Sequence, residues 1–234
     1  MAKSNLAERF DRARREAVAF ARQATLLGRD TQRAVLPREA DVRQGDHVVV
    51  FLHGLFASAG VLRPLRDRVT RDPRLHDAAL SYAPGPDVDE LAERLGGLLA
   101  DLPAHAKVHL VGHSLGGIVC RHLAAHRPDP RVVQTISLAS PFGGVRAASL
   151  FAVRGVRDLA EESVVLRRIR LSPCAIPHLS IVAADDTVAG SAVAHALPGF
   201  EVMVLDRCGH NALLYDPRAI DAVEARIRAL VDAP

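Results

Sequence analysis

The sequence predicts an α/β fold, with a mostly parallel central sheet and helices on both faces. Three observations lead there. Short β-branched apolar runs recur from His47 onward. Stretches of helical length and helical apolar spacing separate them. The runs also lack the in-out alternation of a half-solvated strand, as expected for strands covered on both faces.

The elements follow in order. HVVVFL, residues 47–52, is an apolar strand. Residues 59–71 read as a helix and residues 75–82 as a second strand. Residues 87–102 form an amphipathic helix with Leu91, Leu95, Leu98 and Leu102 on one face. Residues 107–111 are a short buried strand, 115–126 a helix and 132–138 another strand. The alternation breaks over 140–176 and resumes with strands at 178–183 and 201–205 and a closing helix at 216–231. Ahead of this unit, residues 4–27 predict a helix capped by Ser4 or Asn5, with Leu6, Phe10, Ala13, Ala17, Phe20 and Ala24 near helical spacing. Residues 28–46 are polar and punctuated by Pro and Gly, so they read as a linker. The expected organisation is an N-terminal helix and linker over 1–46 and one α/β domain over 47–234.

Composition narrows the function classes. The 234 residues are 49% hydrophobic and 24% charged, which suits a folded domain rather than a disordered chain. Net charge is +3, with the charges interleaved rather than patched, and aromatics are only 4%. Neither a nucleic-acid footprint nor a base-stacking platform is expected. Lys3 and Lys107 are the only lysines among 30 basic residues, a bias expected of a GC-rich bacterial genome. Cys120, Cys174 and Cys208 are widely spaced and odd in number, with no zinc pattern. His122 and His126 have metal-compatible i,i+4 spacing without a third ligand, so neither a metal nor a cofactor is expected. No secretory leader or spanning segment is read, and a cytoplasmic protein is expected. The arginines of 4–27 give that helix a second reading, weak contact with an anionic membrane surface.

The chemistry is expected at the carboxyl ends of the strands. Gly112-His113-Ser114-Leu115-Gly116 lies between a predicted strand and a predicted helix, the setting of a G-x-S-x-G nucleophile elbow. Such a turn strains the serine backbone and crowds the positions two before and two after, which calls for the glycines Gly112 and Gly116. His53-Gly54-Leu55 ends the first strand and can present a backbone N–H to a developing oxyanion. The expected donors are the amides of Leu55 and of Leu115. The strand at 178–183 runs into Asp185-Asp186, where Asp185 is the preferred acid and Asp186 the alternative. Gly209-His210 follows the last strand and supplies a general base. The order Ser114, Asp185, His210 is nucleophile, acid, base.

With these features in order, the chain resembles the lipase/esterase branch of the α/β-hydrolase superfamily over residues 47–231. The resemblance rests on GHSLGG at the elbow, HGLFASAG at the oxyanion loop, and the Asp185 and His210 loops. Ser140-Pro141-Phe142-Gly143-Gly144 is similar to a Thr-Pro-His-x-Gly lipase segment, with Phe142 in place of His. It implies a metal-independent serine hydrolase that forms an acyl-enzyme on Ser114 and acts on a small-molecule or lipid ester. The apolar interruption at 140–176 is expected to form a small helical cap over the site. Acyl transfer or thioester hydrolysis would use the same residues, and a non-catalytic hydrolase-fold binding protein is the reading from another class.

Overall fold

A computed structural model describes residues 2–31, 34–190, 197 and 199–233, with residues 2–10 and 12 described by their backbone. Seven strands form one sheet in the order β1-β3-β2-β4-β5-β6-β7. They are β1 (Ala34–Val35), β2 (His47–Leu52), β3 (Leu75–Leu80), β4 (Lys107–His113), β5 (Val132–Leu138), β6 (His178–Ala183) and β7 (Glu201–Leu205). Every neighbouring pair is parallel except β1–β3. The helices are α1 (Ala2–Leu26), α2 (Arg63–Val69), α3 (Val88–Ala100), α4 (Leu115–His126), α5 (Arg154–Arg157), α6 (Val164–Leu171) and α7 (Pro217–Val231).

The two-residue period of a strand sorts the core into two layers. Along β2, Val48, Val50 and Leu52 join the cluster built with α3 and α4. Val49 and Phe51 face the other way, into the cluster with α2 and α7. Helix starts follow the local chemistry. The Asp87 carboxylate accepts the Glu90 amide at the start of α3, and the Ser163 hydroxyl accepts the Leu166 amide at the start of α6. Asp216 and Pro217 open α7 in the same manner.

Three expectations change. The segment 28–46 is not only a linker, since Ala34 and Val35 pair antiparallel with Leu80 and Ala79 and close one sheet edge. Two residues are too few to show a strand period in sequence. Helix α1 begins at Ala2, ahead of the expected caps; the side chains of Ser4, Asn5, Leu6 and Phe10 lie outside the described residues. Residues 59–71 divide into a 3-10 turn (Ala59–Leu62) and the shorter α2, with Pro64 in its first turn. Among the described residues no helix is long and apolar enough to cross a membrane.

Several buried polar groups of the sheet are wired to one another. Arg226 Nε donates to Gln134 Oε1 (3.1 Å), and Gln134 Nε2 donates to His109 Nδ1 (2.8 Å). His109 must then donate from Nε2 to His47 Nδ1 (2.7 Å), a chain that works only with neutral rings. Burial pushes the His109 pKa down to about 3, with His47 and Lys107 acting in the same direction. His178 is held between the hydroxyls of Thr135 (2.7 Å) and Ser137 (3.0 Å), and burial drives its pKa well down. In the unfolded chain these rings protonate near pH 6.5. Below that pH the unfolded state binds more protons, so stability is full above about pH 6.5 and is lost as pH falls towards the depressed folded values. Urea midpoints recorded from pH 7.5 downward should fall steadily below about pH 6.5. A flat profile across that window would contradict the neutral-ring wiring.

Candidate active site

A single residue joins β4 to α4. Ser114 sits there with φ 53° and ψ −120°, a left-handed backbone that L-residues rarely adopt. The turn closes because two glycines leave room. A Cβ on Gly112 would strike the Gly116–Gly117 backbone, and one on Gly116 would strike the Leu52 and His53 carbonyls. The Ser114 amide donates to the Leu138 carbonyl (2.9 Å), which ties the elbow to the end of β5. Ser114 is thereby held at the carboxyl edge of the sheet, with its side chain lining a cavity.

The loop after β2 is set by His53. Its Nδ1–H donates to the Gly54 carbonyl (2.7 Å), and its Nε2 accepts the Tyr82 amide (3.1 Å). The Tyr82 hydroxyl donates to the His53 carbonyl, and the two rings stack with centroids 4.0 Å apart. Burial pushes the His53 pKa down to about 4, so this ring is a neutral strut. Leu55 follows it on the cavity wall, and Leu115 opens α4 beside Ser114. Among the described residues neither the Leu55 nor the Leu115 amide has a hydrogen-bond partner. Two such N–H groups, one at a helix N-terminus, can accept developing negative charge.

The carboxylate that meets His210 is Asp186, not the Asp185 favoured by the sequence. Asp186 Oδ2 lies 2.7 Å from His210 Nδ1, and both residues are buried. Asp186 Oδ1 accepts the amides of Val188 and Ala189, each at 2.8 Å. Burial raises the Asp186 pKa, but the His210 ring and those two amides outweigh it and hold the carboxyl below the ordinary range. The reason lies in the strand end. The Ala184 amide bonds to the Leu205 carbonyl and the Asp185 amide to the Cys208 carbonyl, so Asp185 still follows the β6–β7 pairing. The chain turns one residue later, and Asp186 closes that turn with its own side chain. An aspartate two residues before Val188, in a turn ending at Gly190, is the sequence signal that points to it.

His113 packs against His210 with ring centroids 5.0 Å apart, and its Nε2–H donates to the His210 carbonyl (3.3 Å). Burial pushes its pKa down to about 3, so it braces the His210 loop and stays uncharged. His122 pairs with Asp89 (2.8 Å), away from the cavity. Phe142, in the position where the resembling segment has His, is fully buried and meets the rings of His178 and Phe200 edge-on.

The cavity over Ser114 and His210 measures about 440 Å³. Residues 140–176 supply one wall through Val145, Ala148, Phe151, Val156 and Leu159. The sequence does not predict a further part of the wall, α1, through Phe20, Gln23 and Ala24, with Leu27 just beyond the helix end. The sequence signal there is misleading, since Ala13, Ala17, Phe20 and Ala24 of the expected apolar stripe are exposed, while Ala19 and Gln23 are the buried positions.

Residues 42–161 match the family model described as "Putative serine esterase (DUF676)". That span is 120 of 234 residues, just over half. The chain belongs to this family. It is thus a member of a serine-esterase family, with the α/β-hydrolase fold. The mouse protein named sn-1-specific diacylglycerol lipase ABHD11 is 37% identical over 106 residues, 40% of this chain and 34% of that protein. The match thus spans about a third of that relative's length. The mature lipase BlEst2 of Bacillus licheniformis superposes with a TM-score of 0.67 at 16% identity, over 85% of this chain and 96% of that one. BorB, a type II thioesterase from the borrelidin biosynthetic cluster, superposes with a TM-score of 0.61 at 21% identity, over 84% and 94% of the two chains. The family segment holds Leu55, Ser114 and Leu115, whereas Asp186, His210 and α1 lie outside it.

Two glycines give opposite expectations for stability. Gly116→Ala drives a methyl into backbone carbonyls and should cost about 1–3 kcal/mol, or roughly 3–10 °C in melting temperature. Gly97 lies in α3 with open space at its Cβ, so Gly97→Ala should raise the melting temperature by about 1–4 °C. Thermal melts of the two variants check this, and equal shifts would refute the close-packing account of the elbow.

Proposed function

We propose that this chain hydrolyses carboxylic esters, with Ser114 as nucleophile, His210 as general base and Asp186 as the carboxylate that orients it. The observation that carries the reading is the buried Asp186–His210 pair converging with the strained Ser114 on one cavity. His210 takes the Ser114 proton on Nε2 as the hydroxyl oxygen attacks the acyl carbon. Asp186 fixes the Nδ1–H tautomer and stabilises the imidazolium. The Leu55 and Leu115 amides hold the oxyanion, each worth about 3 kcal/mol in the transition state. His210 then passes the proton to the leaving alkoxide, which departs as the alcohol and leaves an acyl-Ser114. Water, deprotonated by His210, attacks that acyl group; the acid leaves and Ser114 regains its proton.

Preorganisation supports this assignment. His53 and His113 are neutral struts, while among the described residues His210 alone lines the cavity with a buried carboxylate on its ring. The walls favour an apolar acyl group, and the mouse relative's name points to lipid esters as the class to test. No step requires a metal or cofactor.

Hydrolysis of p-nitrophenyl esters, from acetate to palmitate, tests the reading. Ser114→Ala should lower kcat about 10⁴–10⁶-fold and Asp186→Asn about 10⁴-fold. Asp185→Asn should stay within about tenfold of the parent. A larger loss in Asp185→Asn than in Asp186→Asn would overturn the acid assignment. Absence of serine-dependent turnover, with no fluorophosphonate labelling of Ser114, would overturn the hydrolase reading itself.

A further inference from the structure

Helix α1 stands outside the family segment, yet it is built into the site rather than draped over it. Near its middle, the Glu16 carboxylate accepts the Ala212 amide (3.2 Å) and occupies the space that a side chain at position 209 would need, next to His210. At its end, the Leu27 and Arg29 carbonyls each accept the Ser58 hydroxyl (3.1 Å). A Cβ on Gly60 would strike the Leu26 and Arg29 carbonyls. Asp30 then pairs with Arg63 and Arg66, and its carbonyl accepts the Ser81 hydroxyl (2.7 Å). These clamps tie the helix to the His210 loop and to the segment that follows the Leu55 loop. Phe20, Ala24 and Leu27 recur at i+4 and i+3, a single stripe facing the cavity.

One residue of that wall is out of character. Gln23 is only 9% exposed and lines the cavity, and its side-chain amide has no hydrogen-bond partner among the described residues. The amide atoms of this mostly buried side chain are not sealed off from solvent, so they are open to the cavity they line, where a ligand group can meet them. The clamps on α1 run through Glu16, the Leu27 and Arg29 carbonyls and Asp30 rather than through the Gln23 side chain.

We propose that α1 is the specificity wall of the ester site: Phe20, Ala24 and Leu27 contact the apolar chain, and Gln23 hydrogen-bonds to a hydroxyl or carbonyl carried elsewhere on the ester. The substrate class is an apolar acyl ester with a second polar group, such as a partial glyceride, in preference to a simple alkyl ester. This rests on the serine-hydrolase reading above and deepens it.

The test compares ratios within each variant. In Ala24→Phe, the ratio of kcat/KM for p-nitrophenyl laurate to that for the acetate should fall about tenfold or more, chiefly through KM. Phe20→Ala, at an exposed position that loads no buried packing, should lower the same ratio about threefold. In Gln23→Leu, the ratio of kcat/KM for monolaurin to that for p-nitrophenyl laurate should fall about tenfold, because the site no longer meets the free hydroxyls. Turnover that drops by one common factor across all esters would overturn the proposal and make α1 a structural brace. Parent protein without serine-dependent turnover of any ester would instead overturn the hydrolase reading, and the proposal with it.

Discussion

Ser114 can hold its left-handed backbone only because the end of β2 and the start of α4 touch through glycine. The Leu52 and His53 carbonyls occupy the space beside Gly116, and the Gly116–Gly117 backbone occupies the space beside Gly112. Strain of this kind costs about 1–3 kcal/mol and persists only where the surroundings over-determine it. Here they do. β4 is paired on both sides, by β2 and by β5, and the Ser114 amide is bonded to Leu138 beyond the strand end. The rest of the site is measured from that fixed point: Leu55 from β2, Asp186 from β6 and His210 from the loop after β7.

Electrostatics divides the histidines by task. His53, His109, His113 and His178 are buried and kept neutral, chiefly by desolvation. His210 is buried as well, but a carboxylate whose side chain is 1% exposed sits on its Nδ1. The His122–Asp89 pair looks similar by distance, yet the Asp89 side chain is 54% exposed. Water therefore screens that pair, whereas the field of Asp186 acts on His210 in a drier medium. Geometry and burial together, rather than the presence of a His–Asp contact, single out the pair at the cavity.

Legibility in the sequence followed the length and regularity of each element. The strands from β2 to β7 and the helices α3, α4 and α7 announced themselves by period and apolar content, and the elbow by its two glycines. β1 has two residues and no period, so only its pairing with β3 reveals it. The carboxylate beside His210 lies one position past the one the sequence favours, because strand length does not say where a chain stops pairing. Asp185 still bonds to Cys208 through its amide, and only the turn hydrogen bonds to Val188 and Ala189 mark Asp186 as the residue that faces inward. The role of α1 was invisible for a different reason. Its stripe is read from sequence as a face that packs, but nothing local tells which surface it packs against. The informative signs are distant: Gly209 is small where Glu16 lies, and Gly60 is small where the end of the helix arrives.

That separation bears on how such a site can vary. The elbow lies within the family segment and is fixed by backbone contacts that leave no space for a Cβ at Gly112 or Gly116. The wall of α1 meets the cavity through side chains, so a change at Phe20, Gln23 or Ala24 alters the cavity without touching a backbone clamp. Its anchors are polar and lie at Glu16 and beyond Leu26, on either side of the lining residues. A helix held at these points and lining a pocket between them can change its lining residues while its axis stays put. The elbow is locked by steric necessity at the sheet edge, whereas α1 lines the cavity through side chains that have room to differ.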